Sequence, residues 1–337
     1  MHYSLFWGVT VVLIAGLISG SFVVPTMRVS EWQWEHIWTV YSLSAFILCP
    51  LGLALVFSPG ILSVVLKHPH AAIQVVVYGT LFGVGSVLFG LAWARLGIAV
   101  AVALVSGVIV LVGSIGPVVV GAVQIDRTGW IRLGLGILPL MAGLVLSTIA
   151  TIRRDEARQA ARAENTSRSG SIVGIVIAFT SGVLSAMLNI GFAVGDPLQE
   201  IARRVGYSPY SATLVVWVPL LAGGFLANFG YPIVLVHRRG TWSTFFKLNS
   251  SPQLSFRCFL MGFLWFGAIF LYGYGAWIMG PGGTVYGWAL VSGGGILGSC
   301  IVGVLAGEWH GAGLRAKVLM AVSVLFLLLS FGMLSRS

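Results

Sequence analysis

The pentapeptide ALVSG occurs twice in this sequence, at residues 103–107 and again at 289–293. Each copy lies within a long apolar run that is rich in glycine. The agreement extends to two further pairs of segments in the same order, LFGLAWARLG (88–97) with LYGYGAWIMG (271–280) and ISG (18–20) with TSG (180–182). We therefore interpret the chain as two related halves.

The composition is typical of an integral membrane protein. Hydrophobic residues make up 58% of the 337 residues, charged residues only 8%, and the mean hydropathy is +0.98. A membrane-spanning helix needs about 20 mostly apolar residues. Ten such runs, numbered here as spans 1 to 10, lie at residues 4–25, 37–57, 71–94, 97–122, 130–151, 171–195, 210–236, 256–279, 284–306 and 316–334. Because these runs are continuous, and do not alternate as barrel strands do, they predict an all-α protein with ten transmembrane helices.

The net charge of +10 is explained by topology and by contact with anionic membrane lipid, so we do not expect a nucleic-acid partner. With ten spans, both termini lie on one face, and 13 of the 19 basic residues fall in loops after odd-numbered spans. The positive-inside rule makes the face that holds these loops cytoplasmic, so both termini lie on the opposite, outer face. We expect a multi-pass protein of the cell inner (plasma) membrane.

The polar, arginine-rich segment IRRDEARQAARAENTSRSG (152–170) cannot span a membrane and divides the chain. It predicts a first five-helix repeat at 1–151, a basic linker at 152–170 and a second repeat at 171–337. Since each repeat has an odd number of spans, the second must enter the membrane from the opposite face. Inverted repeats of this kind build secondary transporters that bind their substrate near the membrane midplane.

Several segments, in this order, carry a resemblance to a known family: RVSEWQWEHIWTV (28–40), LFGLAWARLGIAVAVALVSGVIVLVGSIGPVVVG (88–121), DPLQE (196–200), NFGY (228–231) and EWHGAG (308–313). The chain resembles the L-rhamnose/proton symporter family of the drug/metabolite transporter superfamily. That resemblance implies ten helices in two inverted repeats, a monosaccharide as substrate and protons as the coupling ion. It also implies acidic residues before span 9, where this chain instead has Thr284.

Ionisable residues in mid-membrane are functional candidates because burying them is costly. None of the nine acidic residues falls at the middle of a predicted span. The nearest to a span are Glu35 at the start of span 2, Asp196 at the end of span 6 and Glu308 after span 9. We take Glu35 and Asp196 as the proton-coupling candidates, with a solvated charge at a helix end as the alternative for each.

A sugar site combines hydrogen-bonding side chains with aromatic platforms for the C–H faces of the ring. Asn189 and Asn228 are the two Asn residues in apolar runs, and each could instead bond a neighbouring helix. Aromatic candidates for the cavity wall are Trp38, Tyr41, Trp217, Tyr272, Tyr274, Tyr286 and Trp288.

No Walker A motif and no zinc-ligand spacing is present, so we predict that the chain is not an enzyme and needs no metal or cofactor. Three functions stay open at this point. The first is proton symport of a small polar solute, such as L-rhamnose, with alternating access. The others are export or exchange of another metabolite, favoured by the missing mid-membrane acid, and a scaffold or receptor without transport.

Overall fold

A computed structural model describes residues 2–27, 29–162, 172–246 and 251–335. In these ranges all regular elements are helical, and ten of them are long and apolar enough to cross a membrane. These segments are Leu5–Thr26, Trp34–Phe57, Pro69–Leu96, Val100–Val119, Arg127–Glu156, Ile172–Arg204, Pro209–Arg239, Pro252–Met279, Gly283–Leu305 and Leu314–Leu334. The prediction of an all-α, multi-pass membrane protein with ten spans is confirmed.

Seven of the described spans are built on one α-helix each. For spans 1, 3, 4, 5, 8, 9 and 10 these helices are His2–Ser21, Pro69–Leu96, Ile98–Val119, Arg127–Arg162, Ser251–Met279, Gly283–Leu305 and Leu314–Leu334. Span 1 ends in a 3₁₀ turn at Val24–Thr26, Leu62–Lys67 forms a short helix before span 3, and Trp242–Phe246 forms a 3₁₀ turn after span 7.

The other three spans are interrupted. Span 2 contains Trp34–Leu43, a π-helix at Ser44–Leu48 and Cys49–Phe57; span 6 contains Ile172–Ser185, Met187–Val194 and Asp196–Arg204; span 7 contains Pro209–Ala212 and Leu214–Arg239. Proline explains two of the breaks, because it lacks a backbone N–H and clashes with the preceding turn. Pro50 follows the π-helix of span 2, and Pro197 opens the last helix of span 6.

The two halves have matching neighbours. Span 1 packs on spans 8 and 9, and its counterpart in the second half, span 6, packs on spans 3 and 4. Glycine lets these helices approach closely. A Cβ at Gly16 would lie 2.7 Å from the Val291 carbonyl oxygen on span 9, and one at Gly182 would lie 2.5 Å from Val108 Cβ on span 4. The inverted repeat requires this pattern of neighbours; the repeat itself stays a prediction.

The polar segment predicted to link the halves begins as a continuation of span 5. The helix that starts at Arg127 extends through the arginine-rich residues to Arg162. The rest of the predicted linker, 163–170, lies outside the described residues.

Candidate functional site

A cavity of about 610 Å³ lies between the two halves. Residues of spans 1, 4 and 5 line it from the first half, and residues of spans 6, 8, 9 and 10 line it from the second. Its volume falls in the range of about 300–1,000 Å³ that is usual for small-molecule sites. We call it the main cavity. Its position is the one expected for a carrier, and it argues against a scaffold without transport.

The serine of each ALVSG copy lines the main cavity. Ser106 lies on span 4 and Ser292 on span 9, so the repeated pentapeptide supplies one hydroxyl from each half. Ser19 on span 1 adds a third. These three hydroxyls make no hydrogen bond to the described part of the chain. Each can donate one hydrogen bond to a solute and accept others.

Span 5 presents a further row of hydroxyls to the cavity. Thr148 Oγ1 donates to the Leu144 carbonyl at 2.8 Å, and Thr151 Oγ1 donates to the Ser147 carbonyl at 2.9 Å. Ser147 Oγ also donates to the Leu144 carbonyl, at 2.9 Å. Since the donor hydrogens are used within the helix, these oxygens are available mainly as acceptors.

Three aromatic side chains, Trp265, Tyr272 and Trp288, belong to the apolar part of the cavity wall, together with aliphatic residues. Trp288 Nε1, on span 9, donates to the Ile109 carbonyl on span 4 at 3.1 Å, so this hydrogen bond joins the two halves and orients the indole. The rings of Tyr272 and Trp288 meet edge to face, with centroids 5.4 Å apart. Trp265 is stacked on Phe46, with centroids 5.2 Å apart. Each ring is therefore held by neighbours before any solute arrives.

Asn189 joins three other spans at the deep end of the cavity. Its Nδ2 donates to the carbonyls of Gly113 at 2.8 Å and Thr284 at 3.0 Å. Its Oδ1 accepts a hydrogen bond from the hydroxyl of Tyr272. Tyr272 lines the main cavity, whereas Thr284 lines a different one. We call Asn189, Tyr272 and Thr284 the closing layer.

The mouth of the main cavity carries charge. Arg154 Nη1 lies 2.6 Å from Glu308 Oε2, and Arg154 Nε lies 2.9 Å from Asp155 Oδ1. The Arg154 side chain is 11% exposed and its guanidinium lies 5.2 Å from the ring centroid of Trp309. This cluster joins the end of span 5 to the loop after span 9, on the face predicted to be cytoplasmic.

A second cavity, of about 400 Å³, lies on the other side of the closing layer. Its walls come from the loop after span 4, the end of span 6 and the turn between spans 8 and 9. We call it the outer cavity, because all three segments follow even-numbered spans, on the face opposite the Arg154 cluster. Thr284 and Asp196 line it.

Similarity to known proteins shows the family of this chain. The model of the family described as L-rhamnose-proton symport protein matches residues 1–335. The chain belongs to this family. A symporter family is a family of secondary transporters and not of enzymes, so membership confirms the transporter class that the sequence predicted.

Relatives of this chain match over almost their whole length. An L-rhamnose-proton symporter of Escherichia coli O17:K52:H18 (strain UMN026 / ExPEC) is 23% identical, with 94% of each chain covered. Those of Mannheimia succiniciproducens and Klebsiella pneumoniae subsp. pneumoniae are each 22% identical, with 98% of this chain and 97% of the relative covered. The family resemblance drawn from the sequence is confirmed.

Two of the nine side chains predicted to bind the substrate, Tyr272 and Trp288, line the main cavity. Asn189 lies immediately behind them, with its polar atoms bonded to protein groups. Trp217 is fully buried and stacks on Phe192 with centroids 4.3 Å apart.

The remaining five do not line the main cavity. Tyr41 packs behind Trp265, with ring centroids 6.2 Å apart, and Trp38 packs on Tyr41. Asn228 Nδ2 donates to the carbonyl of Gly224, one turn earlier in its own helix. Tyr274 packs on Tyr210 and Trp277, and Arg132 lies over the ring of Tyr286.

The two proton-coupling candidates differ in their surroundings. Glu35 is a buried carboxylate, with a side chain 3% exposed, and its Oε1 lies 2.7 Å from Arg239 Nη1. It lines neither cavity. The Asp196 side chain is 63% exposed and lines the outer cavity, 3.4 Å from Arg203 Nη2.

Sequence reasoning missed several residues that line the main cavity of this family member: Ser106, Ser292, Thr148, Trp265 and Arg154. The signal for the two serines was present, since they are the one polar residue in each copy of ALVSG. The signal for the others was absent, because hydroxyl and indole side chains on apolar helices look alike whether they face a cavity or a neighbour.

Proposed function

We propose that this chain carries L-rhamnose, or a monosaccharide very similar to it, across the membrane together with protons, and that the sugar binds in the main cavity. The observation that carries the proposal is that Ser106 and Ser292, one from each half, both line that cavity. The family of the chain and the names of its relatives support both the substrate class and the coupling ion.

The chemistry of the main cavity suits a sugar. Serine and threonine hydroxyls can replace the water that surrounds the hydroxyl groups of a monosaccharide. The rings of Trp265, Tyr272 and Trp288 offer flat apolar surfaces to its C–H faces. No charged side chain lines the deep part of the cavity among the described residues, which favours a neutral solute over an ion.

Transport in this proposal proceeds by alternating access between the two cavities. The closing layer separates them through the hydrogen bonds of Asn189 to Tyr272 and Thr284. The main cavity then represents the conformation that faces the cytoplasm. Opening of these bonds, with narrowing of the opposite mouth around the Arg154–Glu308 pair that is already formed here, would give the outward-facing conformation.

Proton coupling requires a carboxylate that changes its partner or its exposure during this cycle. Asp196 at the outer cavity and Glu308 at the mouth of the main cavity lie where each conformation meets water. Glu35 is the buried alternative, in its ion pair with Arg239. We therefore include all three carboxylates in the test of coupling.

The test is the current evoked by L-rhamnose in proteoliposomes on a solid support, together with uptake of labelled L-rhamnose. We expect a current that carries positive charge and disappears when the proton gradient is collapsed. Glu35→Gln, Asp196→Asn and Glu308→Gln are compared, and the coupling residue is the one whose loss abolishes accumulation while leaving exchange of labelled sugar intact.

The substrate site is tested in the same preparation with Ser106→Ala and Ser292→Ala. Each change removes one hydrogen bond to the sugar, so the half-saturation concentration should rise about two- to tenfold. Ser86→Ala is the matched control, because Ser86 bonds the Phe82 carbonyl within span 3 and lines neither cavity. Absence of both uptake and binding for every sugar would contradict the proposal and favour export of another metabolite.

A further inference from the structure

We propose that the outer cavity is a second binding site, which receives the same neutral polar solute from the outside before it reaches the main cavity. The inference rests on the proposed function and adds a site to it. The first observation is that Arg203 Nη1 and Thr284 Oγ1, both on residues that line this cavity, are buried without a hydrogen-bond partner in the described part of the chain. Buried polar atoms are seldom left unpaired, so each suggests a missing partner.

Arg203 is held in place by carboxylates, but part of its guanidinium makes no hydrogen bond to the described residues. Its Nε and Nη2 lie 3.1 and 2.9 Å from Glu200 Oε2, and Nη2 also lies 3.4 Å from Asp196 Oδ1. A guanidinium has five N–H donors, and those on Nη1 are not used by these carboxylates. The structure thus holds a preorganised donor at the wall of the cavity, suited to a hydroxyl oxygen.

The charges around the outer cavity favour a neutral solute. Arg203 and Arg204 are both paired with Glu200, and Arg203 is also paired with Asp196, so the two positive charges are matched by two negative ones. A sulfate or carboxylate ligand would leave this group with an excess of negative charge. A polyhydroxylated solute adds no charge and can accept from Arg203 and bond Thr284.

The remaining wall is divided into polar and apolar parts, as a sugar requires. The buried side chain of Gln199 lies on the same helix as Arg203, one turn earlier, and lines the cavity. Phe192 and Trp277 supply the apolar part. Amide and guanidinium groups can bond the hydroxyls of a sugar ring while the aromatic rings cover its C–H face.

Thr284 connects this site to the closing layer. Its carbonyl accepts from Asn189 Nδ2, while its side-chain hydroxyl has no partner among the described residues. A solute that bonds Thr284 Oγ1 would therefore contact the same residue whose backbone helps to close the path inward. The outer site is placed to load the carrier in its outward-facing conformation.

The test measures the half-saturation concentration for labelled L-rhamnose separately from each face, in right-side-out and inside-out membrane vesicles. Thr284→Val removes the hydroxyl with little change of shape, and Arg203→Gln removes the guanidinium. We expect each to raise the external half-saturation about five- to tenfold, with the internal value changed less than about twofold. The matched control is Arg204→Gln, since Arg204 also pairs with Glu200 but is 76% exposed and does not line the cavity.

The outcomes separate the two proposals. An external half-saturation that rises in Thr284→Val and Arg203→Gln but not in Arg204→Gln supports the outer site. Suppose that the wild-type protein takes up L-rhamnose, but that the external half-saturation concentration of the two variants is unchanged or rises equally on both faces. This result overturns the outer site and leaves the proposed function standing. Absence of L-rhamnose uptake by the wild-type protein overturns both.

Discussion

Asn189 and Asn228 are both buried amides on interrupted spans, yet their side chains make different hydrogen bonds. Asn189 uses its two amide hydrogens and its oxygen to bond spans 4, 8 and 9. Asn228 Nδ2 donates only to a carbonyl of its own helix, at 3.0 Å. At the scale of single residues, the closing layer therefore depends on one side chain that makes three hydrogen bonds to three different spans.

We predict that Asn189→Leu lowers the free energy of unfolding by about 1–3 kcal/mol, because three buried groups each lose one hydrogen bond. Asn228→Leu should cost less than about 1 kcal/mol, because it removes one bond within a helix. The measurement is thermal unfolding of the purified variants in the same detergent. Equal losses in the two variants would show that Asn189 does not hold spans 4, 8 and 9 together.

Glycine determines how closely whole helices approach one another. At the crossing of spans 3 and 7, a Cβ on Gly79 would clash with the carbonyl oxygen of Leu220. This contact is with backbone, which cannot rotate away as a side chain can. Gly90, on the same helix as Gly79, has open space where a Cβ would be. Substitution of Gly79 therefore tests close helix packing, whereas substitution of Gly90 tests helix propensity alone.

Gly79→Ala should lower the free energy of unfolding by about 1–3 kcal/mol, since spans 3 and 7 must move apart. Gly90→Ala should be neutral or raise it by up to about 1 kcal/mol, because alanine favours a helix over glycine. Thermal unfolding in detergent, with the yield of monodisperse protein, compares the two. A Gly79→Ala protein as stable as the wild type would contradict the close crossing of these helices.

The whole molecule presents the main cavity to one face of the membrane and the outer cavity to the other. Cys300 lines the main cavity, whereas Cys49 and Cys258 are buried away from it. The native chain therefore carries a reporter of which face the main cavity opens to. Cys300 lies near the Arg154 cluster, on the face that the basic residues predict to be cytoplasmic. Its accessibility therefore tests both the predicted topology and the face to which the main cavity opens.

A membrane-impermeant maleimide should label Cys300 in inside-out vesicles and leave it unlabelled in right-side-out vesicles. The reason is that the main cavity opens at the mouth formed by Arg154 and Glu308, on the face predicted to be cytoplasmic. Mass spectrometry of the labelled protein identifies the cysteine, and Cys300→Ser is the control. Labelling from the opposite face alone would reverse the assigned orientation.

The amino-acid sequence by itself determined the class, the ten spans and the family of this protein. Long apolar runs have few alternatives, because a backbone in lipid must satisfy its hydrogen bonds within a helix. The breaks at Pro50 and Pro197 are also local, because proline lacks the backbone N–H that a continuous helix needs. The inverted relation of the halves also comes from the sequence, through ALVSG and its neighbouring segments, and remains a prediction.

Only the tertiary structure decided which side chains meet at the site. Tyr272 and Tyr274 lie two residues apart on one helix, and successive helical positions point in different directions, so that Tyr272 lines the main cavity and Tyr274 packs on Tyr210. Likewise Asn189 and Tyr272 are distant in sequence and bond each other. Hydropathy locates a span in the membrane, but the rotation of each helix follows from close packing with its neighbours, and that rotation selects the residues that face the cavity.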